Sequence, residues 1–224
     1  MNNLPKAARV DIRANLSEYL HDRRATERYA SFDYCFNYFQ EQSDRGLTAE
    51  LTSQENLEMS CLQLGFYLAS WGMYRGSTTR LKRSLAYLKP PVEVIANAPA
   101  EIWSTDADSY TPERIELMLD VAAHLRECFP EGASDTTVTK VMLGVFGCVP
   151  AFDQYFKRGF GVYGFNASAL ARIGDFYREN SAVIDAYRVP TLEFATGLET
   201  ARRYSRAKVI DMIFFVAGAP QPAS

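Results

Sequence analysis

A chain of 224 residues, 47% hydrophobic and 23% charged, has enough apolar material for one large domain or two small ones and falls outside the disordered classes. Its net charge of −3 argues against a protein that coats nucleic acid by bulk electrostatics, while leaving room for a local basic face. Two histidines, His21 and His124, exclude a multi-histidine metal site, and Cys35, Cys61, Cys128 and Cys148 are too scattered for zinc spacings, so no metal and no cofactor are expected.

The cysteines sit among apolar neighbours and read as small core residues in a reducing compartment. The opening "MNNLPKAARVDIRANL" is too charged for the apolar region of a signal peptide. The run "LQLGFYLASWGMY" at 62–74 is too short to span a bilayer. The expected location is the cytoplasm.

Apolar residues recur with helical period along nearly the whole chain, and clear strand alternation is absent. A first helix over 6–24 places Val10, Ile12, Leu16, Tyr19 and Leu20 on one side. A second, over 27–41, presents Phe32, Cys35, Phe36 and Phe39. The third, about 54–74 and capped by Thr52 or Ser53, carries Leu57, Cys61, Leu64, Leu68 and Trp71 on one face. Leu62, Phe66, Ala69 and Met73 lie nearly opposite, a pattern that predicts a central helix. Gln63, Tyr67, Ser70 and Tyr74 form the remaining polar stripe. These groups either satisfy one another and nearby backbone or line a ligand pocket. Trp71-Gly72 marks a close helix crossing, or else Trp71 is a surface on which a base stacks.

Residues 75–89 hold Arg75, Arg80, Lys82, Arg83 and Lys89 with no acid among them. A short helix there ends at Pro90-Pro91, and another covers about 92–97. The polar stretch near 98–111 is a candidate seam between two lobes around a cleft. Thr111, Pro112 and Glu113 then start a helix that runs to about Cys128. A further helix from about 136 carries Val138, Val141, Met142, Val145 and Phe146 until Gly147 and Pro150 break it. Helices follow at about 168–187, 191–203 and 205–216. The expectation is an all-α fold: a single compact multi-helix domain, residues 1–224, with about nine or ten helices.

Within "VFGCVPAFDQYFKRGF" at 145–160, Asp153 is the one acid, surrounded by Phe152, Tyr155, Phe156 and Phe160. An acid in a first helical turn complements the dipole and can pair with Lys157. The same aromatic surroundings can also desolvate a catalytic carboxylate. Lys140 lies across the Gly147–Pro150 corner, placed to share a cleft with Asp153. Basic clusters that could bind phosphates comprise Arg80, Lys82 and Arg83, then Lys157 and Arg158, and Arg202, Arg203, Arg206 and Lys208. They equally suit the solvated faces of amphipathic helices. His124 reads as a packed or surface residue. Asp211 is expected to pair with Lys208 or a buried arginine, and Asp33 with Arg75.

The segments "LASWGMYRGS", "TVTKVMLGVFGCVPAFDQYF" and "AKVIDMIFF" resemble a family of uncharacterised bacterial proteins, over about 30–160 and the last helix. The middle segment is in turn similar to the Lys-to-Pro-x-x-Asp region of helix-hairpin-helix DNA glycosylase relatives. That resemblance implies DNA binding and cleavage of an N-glycosidic bond. Asp153 would stabilise the sugar cation or activate a nucleophile, and Lys140 would attack the sugar or hold a phosphate. "MLGVFGC" stands where those relatives carry a Leu-Pro-Gly-Val-Gly hairpin that grips the DNA backbone. The polar stripe, with Trp71 and Arg75, would line the base pocket. Two other classes fit the composition: a helical protein-interaction module, and a binder of small, nucleoside-like molecules.

Overall fold

Short polar side chains begin most of the long helices by taking one of the amides that a first turn leaves unpaired. In the computed structural model, which describes residues 10–21, 23–75, 79–129 and 132–220, the Thr111 hydroxyl accepts from the Arg114 amide at 3.3 Å. Ser134, Asn166 and Ser205 do the same for Thr137, Ala169 and Lys208. The helices so capped are α6 (Pro112–Glu127), α7 (Asp135–Phe146), α9 (Ala167–Ala186) and α10 (Arg206–Gly218). Before them come α1 (Ile12–His21), α2 (Ala30–Asp44), α3 (Leu57–Ser70), α4 (Lys89–Ala96) and α5 (Ala100–Trp103). The short α8 (Gln154–Phe160) lies between α7 and α9.

Among the described residues these ten helices enclose one hydrophobic core, and a two-stranded sheet is the sole β element. The all-α class holds. The middle of the molecule, however, is α7 and α10, whose faces are buried almost all round. The third helix was expected there. Instead α3 buries Cys61, Leu64, Tyr67 and Leu68 and leaves Met59, Leu62 and Phe66 exposed.

Helices α8 and α10 cross with backbones nearly touching. A Cβ at Gly159 would stand 2.3 Å from the Phe214 carbonyl oxygen, and one at Gly218 would stand 1.8 Å from that of Tyr155. Phe156, Phe160, Phe176 and Phe214 fill the space around this crossing with edge and stacked ring contacts.

Three local expectations are corrected. Residues 191–203 are not a helix: β1 (Pro190–Leu192) pairs antiparallel with β2 (Glu199–Arg203). Long-range partners override the helical pattern. The Leu192 amide donates to the Asp33 carboxylate at 2.9 Å, and the Asn37 side-chain amide donates to the Leu192 carbonyl at 2.9 Å. The Arg23 guanidinium donates to the Pro190 carbonyl. Pro90 and Pro91 do not end a helix; they occupy the first turn of α4, where no amide hydrogen is needed. Gly72, at φ +79°, terminates α3 in a left-handed turn rather than admitting a crossing helix.

Ile102 and Ala107, within the 98–111 stretch, are fully buried in the common core. Among the described residues, no helix is long and apolar enough to cross a membrane.

Candidate functional site

Helix α7 stops at Gly147, whose φ of +68° is the left-handed geometry that closes a helix without a Cβ clash. The chain then turns through 148–152 and starts α8 immediately after Asp153. Cys148, Ala151 and Phe152 of this corner are tied down by long-range hydrogen bonds. The Tyr110 hydroxyl donates to the Cys148 carbonyl at 2.5 Å, and the Ala151 amide donates to Asp211 at 3.0 Å. The Phe152 amide donates to the Thr139 hydroxyl at 2.8 Å, and the Thr136 hydroxyl donates to the Phe152 carbonyl at 2.9 Å.

Asp153 is the N-cap of α8. One carboxylate oxygen accepts from the Tyr155 and Phe156 amides at 2.9 and 3.0 Å, and the other takes Lys140 Nζ at 3.1 Å. Its ion-pair partner is therefore Lys140 across the corner, not Lys157 one turn on. The side chains are 4% (Lys140) and 14% (Asp153) exposed, so the pair is shielded yet reachable. A pair this buried is tolerable because the carboxylate also accepts from two helix amides.

The Lys140 ammonium also lies 4.8 Å from the centre of the Trp71 ring. Lys208 Nζ and the Arg28 guanidinium each stand 5.4 Å from the same ring. Lys208 is held by Asp211 at 3.0 Å and donates to the Tyr19 hydroxyl at 2.9 Å. Burial, together with the Asp211 charge, pushes the Tyr19 hydroxyl well above its ordinary pKa, so that it stays protonated.

Lys140 and Asp153 form part of the wall of an open pocket of about 410 Å³. Trp71, Tyr155 and Phe215 supply aromatic surface; Tyr155 meets Phe215 edge-on at 5.3 Å, and Phe215 meets Trp71 at 5.8 Å. Arg28 and Arg75, both exposed, add positive charge. The Trp71 indole N–H is buried and, among the described residues, without a hydrogen-bond partner. Among the described residues no group of three or more acidic, histidine or cysteine side chains is arranged to hold a metal ion.

Of the residues singled out from sequence, this pocket gathers Asp153, Lys140, Trp71 and Arg75. The polar stripe of α3 is divided. Tyr67 packs in the core against Gly144, whereas Gln63 and Ser70 line a separate groove with Leu62 and Phe66; Tyr74 is half-buried near Gly65. Lys82, Arg83 and Arg158 are exposed and Lys157 is half-buried, and none of them lines the pocket. The Arg80 side chain lies outside the described residues. Arg158 donates to the Gly218 carbonyl. In the 202–208 cluster, Arg206 pairs with Asp106, Asp108 and Asp185, and Lys208 with Asp211, so their charge is neutralised within the fold.

Asp33 pairs with Arg23 at 2.8 Å and accepts from Tyr204 at 2.5 Å; Arg75, at the pocket, is not its partner. Asp211 does pair with Lys208, and His124 is exposed. Cys35, Cys61 and Cys148 are buried free thiols, and burial raises the pKa of each; Cys128 is only half-buried.

Sequence reasoning missed Arg28, Thr136 and Phe215. Arg28 comes from the turn before α2 and Phe215 from the last helix, so no local spacing links them to Asp153. The basic–aromatic string "RATERYASF" at 24–32 was the one available hint for Arg28. Comparison with protein-family models, with curated proteins and with solved structures finds no match for this chain.

Proposed function

We propose that the Lys140/Asp153 pocket receives one nucleobase-bearing unit of a nucleic acid and that the protein acts on its N-glycosidic bond. The observation that carries this reading is a Lys–Asp pair at 3.1 Å in the wall of an open, aromatic-sided pocket. Breaking an N-glycosidic bond builds positive charge on the sugar. A carboxylate already fixed by two amides and an ammonium can stabilise that charge without reorganising. Because both oxygens are engaged, electrostatic stabilisation suits Asp153 better than proton abstraction. Trp71, Tyr155 and Phe215 offer faces and edges to an unstacked base, and Arg28 and Arg75 offer charge to flanking phosphates.

The test is incubation with oligonucleotides carrying deaminated, alkylated or oxidised bases at low salt, scoring free base and strand nicks. Wild type should bind and release base, and Asp153→Asn should abolish release while largely preserving binding. Neither binding nor release by wild type would defeat the reading.

A second reading, a binder of free nucleosides or nucleotides, is favoured by the volume of about 410 Å³, which is on the scale of a single small ligand. A nucleoside at a hundred times its Kd would add about 2.7 kcal/mol of stability, visible as a raised Tm. A Tm that no nucleoside or nucleotide moves would remove this second reading.

A further inference from the structure

The Lys140/Asp153 pocket adjoins two other depressions, and all three share one side chain. Arg28 lines the pocket with its guanidinium over the Trp71 and Tyr29 rings, at 5.4 and 5.1 Å. It also lines a depression of about 450 Å³ with Arg24, Glu27 and Tyr29, and a groove of about 650 Å³ walled by Tyr34, Leu62, Phe66 and Phe194.

In that groove Phe66 is 69% and Phe194 79% exposed. Large apolar rings left bare together on one surface mark a binding face rather than ordinary surface scatter. Phe194, in the loop between β1 and β2, is nevertheless supported. It stands edge-on to Tyr34 at 5.1 Å, and the Tyr34 hydroxyl is fixed by donating to the Ala25 carbonyl at 2.7 Å.

Resting on the reading of the pocket as a nucleotide site, we propose that this succession of depressions is a track for the single-stranded flank of the nucleic acid. One nucleotide occupies the pocket, neighbouring phosphates meet Arg28 and Arg24, and following bases stack on Phe66 and Phe194. The charge agrees: Arg24, Arg28, Arg75 and Lys140 outnumber Glu27 and Asp153 along the path, in a chain whose net charge is −3.

Base faces are covered by neighbouring pairs in a duplex, so only an unpaired strand can offer them to a phenylalanine. An apolar protein segment would account for Leu62 and Phe66. It would not account for a groove that adjoins, through an arginine, a pocket holding an ion pair.

The experiment is fluorescence anisotropy with a dye-labelled single strand of about a dozen nucleotides and with its duplex, a length suited to an open stacking track. Wild type should prefer the single strand. Phe66→Ala and Phe194→Ala should each weaken strand binding by roughly tenfold to a hundredfold, the worth of one base–aromatic stack. Their urea midpoints should match wild type, because both rings are exposed. Equal affinity for duplex and strand, or full strand affinity in the double variant, overturns the track. If binding then still depends on Lys140, the pocket reading survives. Absence of all nucleic-acid binding defeats both. A wild-type dimer that the double variant converts to monomer, with strand affinity unchanged, makes the groove an interface between copies and also overturns the inference.

Discussion

Asp211 accepts the backbone N–H of Ala151 at 3.0 Å, so the last helix fixes the chain two residues before Asp153. The other Asp211 oxygen takes the Lys208 ammonium at 3.0 Å, and both side chains are almost fully buried. Asp211→Ala frees the corner and strands a buried cation. The expected loss is about 3–5 kcal/mol, read from urea unfolding. A loss under about 1 kcal/mol would mean that water reaches Lys208 and that the corner holds without its anchor.

The Lys140–Asp153 pair lends itself to a double-mutant cycle. Asp153→Asn keeps an oxygen for the helix amides but leaves Lys140 unpaired, and Lys140→Met leaves the carboxylate unpaired. Each single change should destabilise. The double change should cost less than the sum, with a coupling of about 1–3 kcal/mol. Additive single effects would show that the two groups do not interact in solution.

Two close approaches should respond differently to the same small change. A Cβ at Gly144 would meet the Tyr67 ring at 2.3 Å, whereas one at Gly159 would meet the Phe214 carbonyl oxygen at 2.3 Å. Gly144→Ala should cost about 1–3 kcal/mol and be partly rescued by Tyr67→Leu, because a side chain can be trimmed. Gly159→Ala should cost at least as much and resist rescue by any single side-chain truncation, because the obstacle is backbone. Equal rescue at both sites would contradict the crossing geometry of α8 and α10.

Burial raises Asp33 above its ordinary pKa of 3.8, against the opposing pull of Arg23, the Tyr204 hydroxyl and the Leu192 amide. The native state therefore holds this proton more tightly than the unfolded chain. The stabilisation is complete below 3.8 and declines as pH rises through the native value. The stability difference between wild type and Asp33→Asn should shift in favour of wild type as pH falls from about 7 toward 4, measured by denaturant midpoints. A shift the other way would mean that Arg23 outweighs burial.

The start of α6 was legible, because Thr111 with Pro112 announces it locally. That of α3 was not, since it begins at Leu57 behind Asn56 without a side-chain cap, and the Ser53 hydroxyl accepts from the Asn56 amide ahead of it. Asp153 with Lys140 was legible too, since one Gly/Pro corner sets their separation. The hairpin at 190–203 was not. "TLEFATGLETARR" has helix-forming residues at helical spacing, and what makes it a sheet is Asp33, Asn37 and Arg23, more than 150 residues earlier in the chain. The burial of α3 was misjudged for a related reason. A periodic pattern shows that Leu62 and Phe66 share a face but carries no information on whether anything covers it.

Trp71 stands against three cationic side chains at one end of an open cavity, while Trp103, the second tryptophan, packs edge-on against Phe146. A Trp103→Phe protein would then emit from a single indole beside the candidate site. Displacing Lys140 or Arg28 from that ring, or laying an aromatic guest over it, changes the polarity the excited state experiences. The molecule thus carries a built-in optical gauge of occupancy that needs no attached dye.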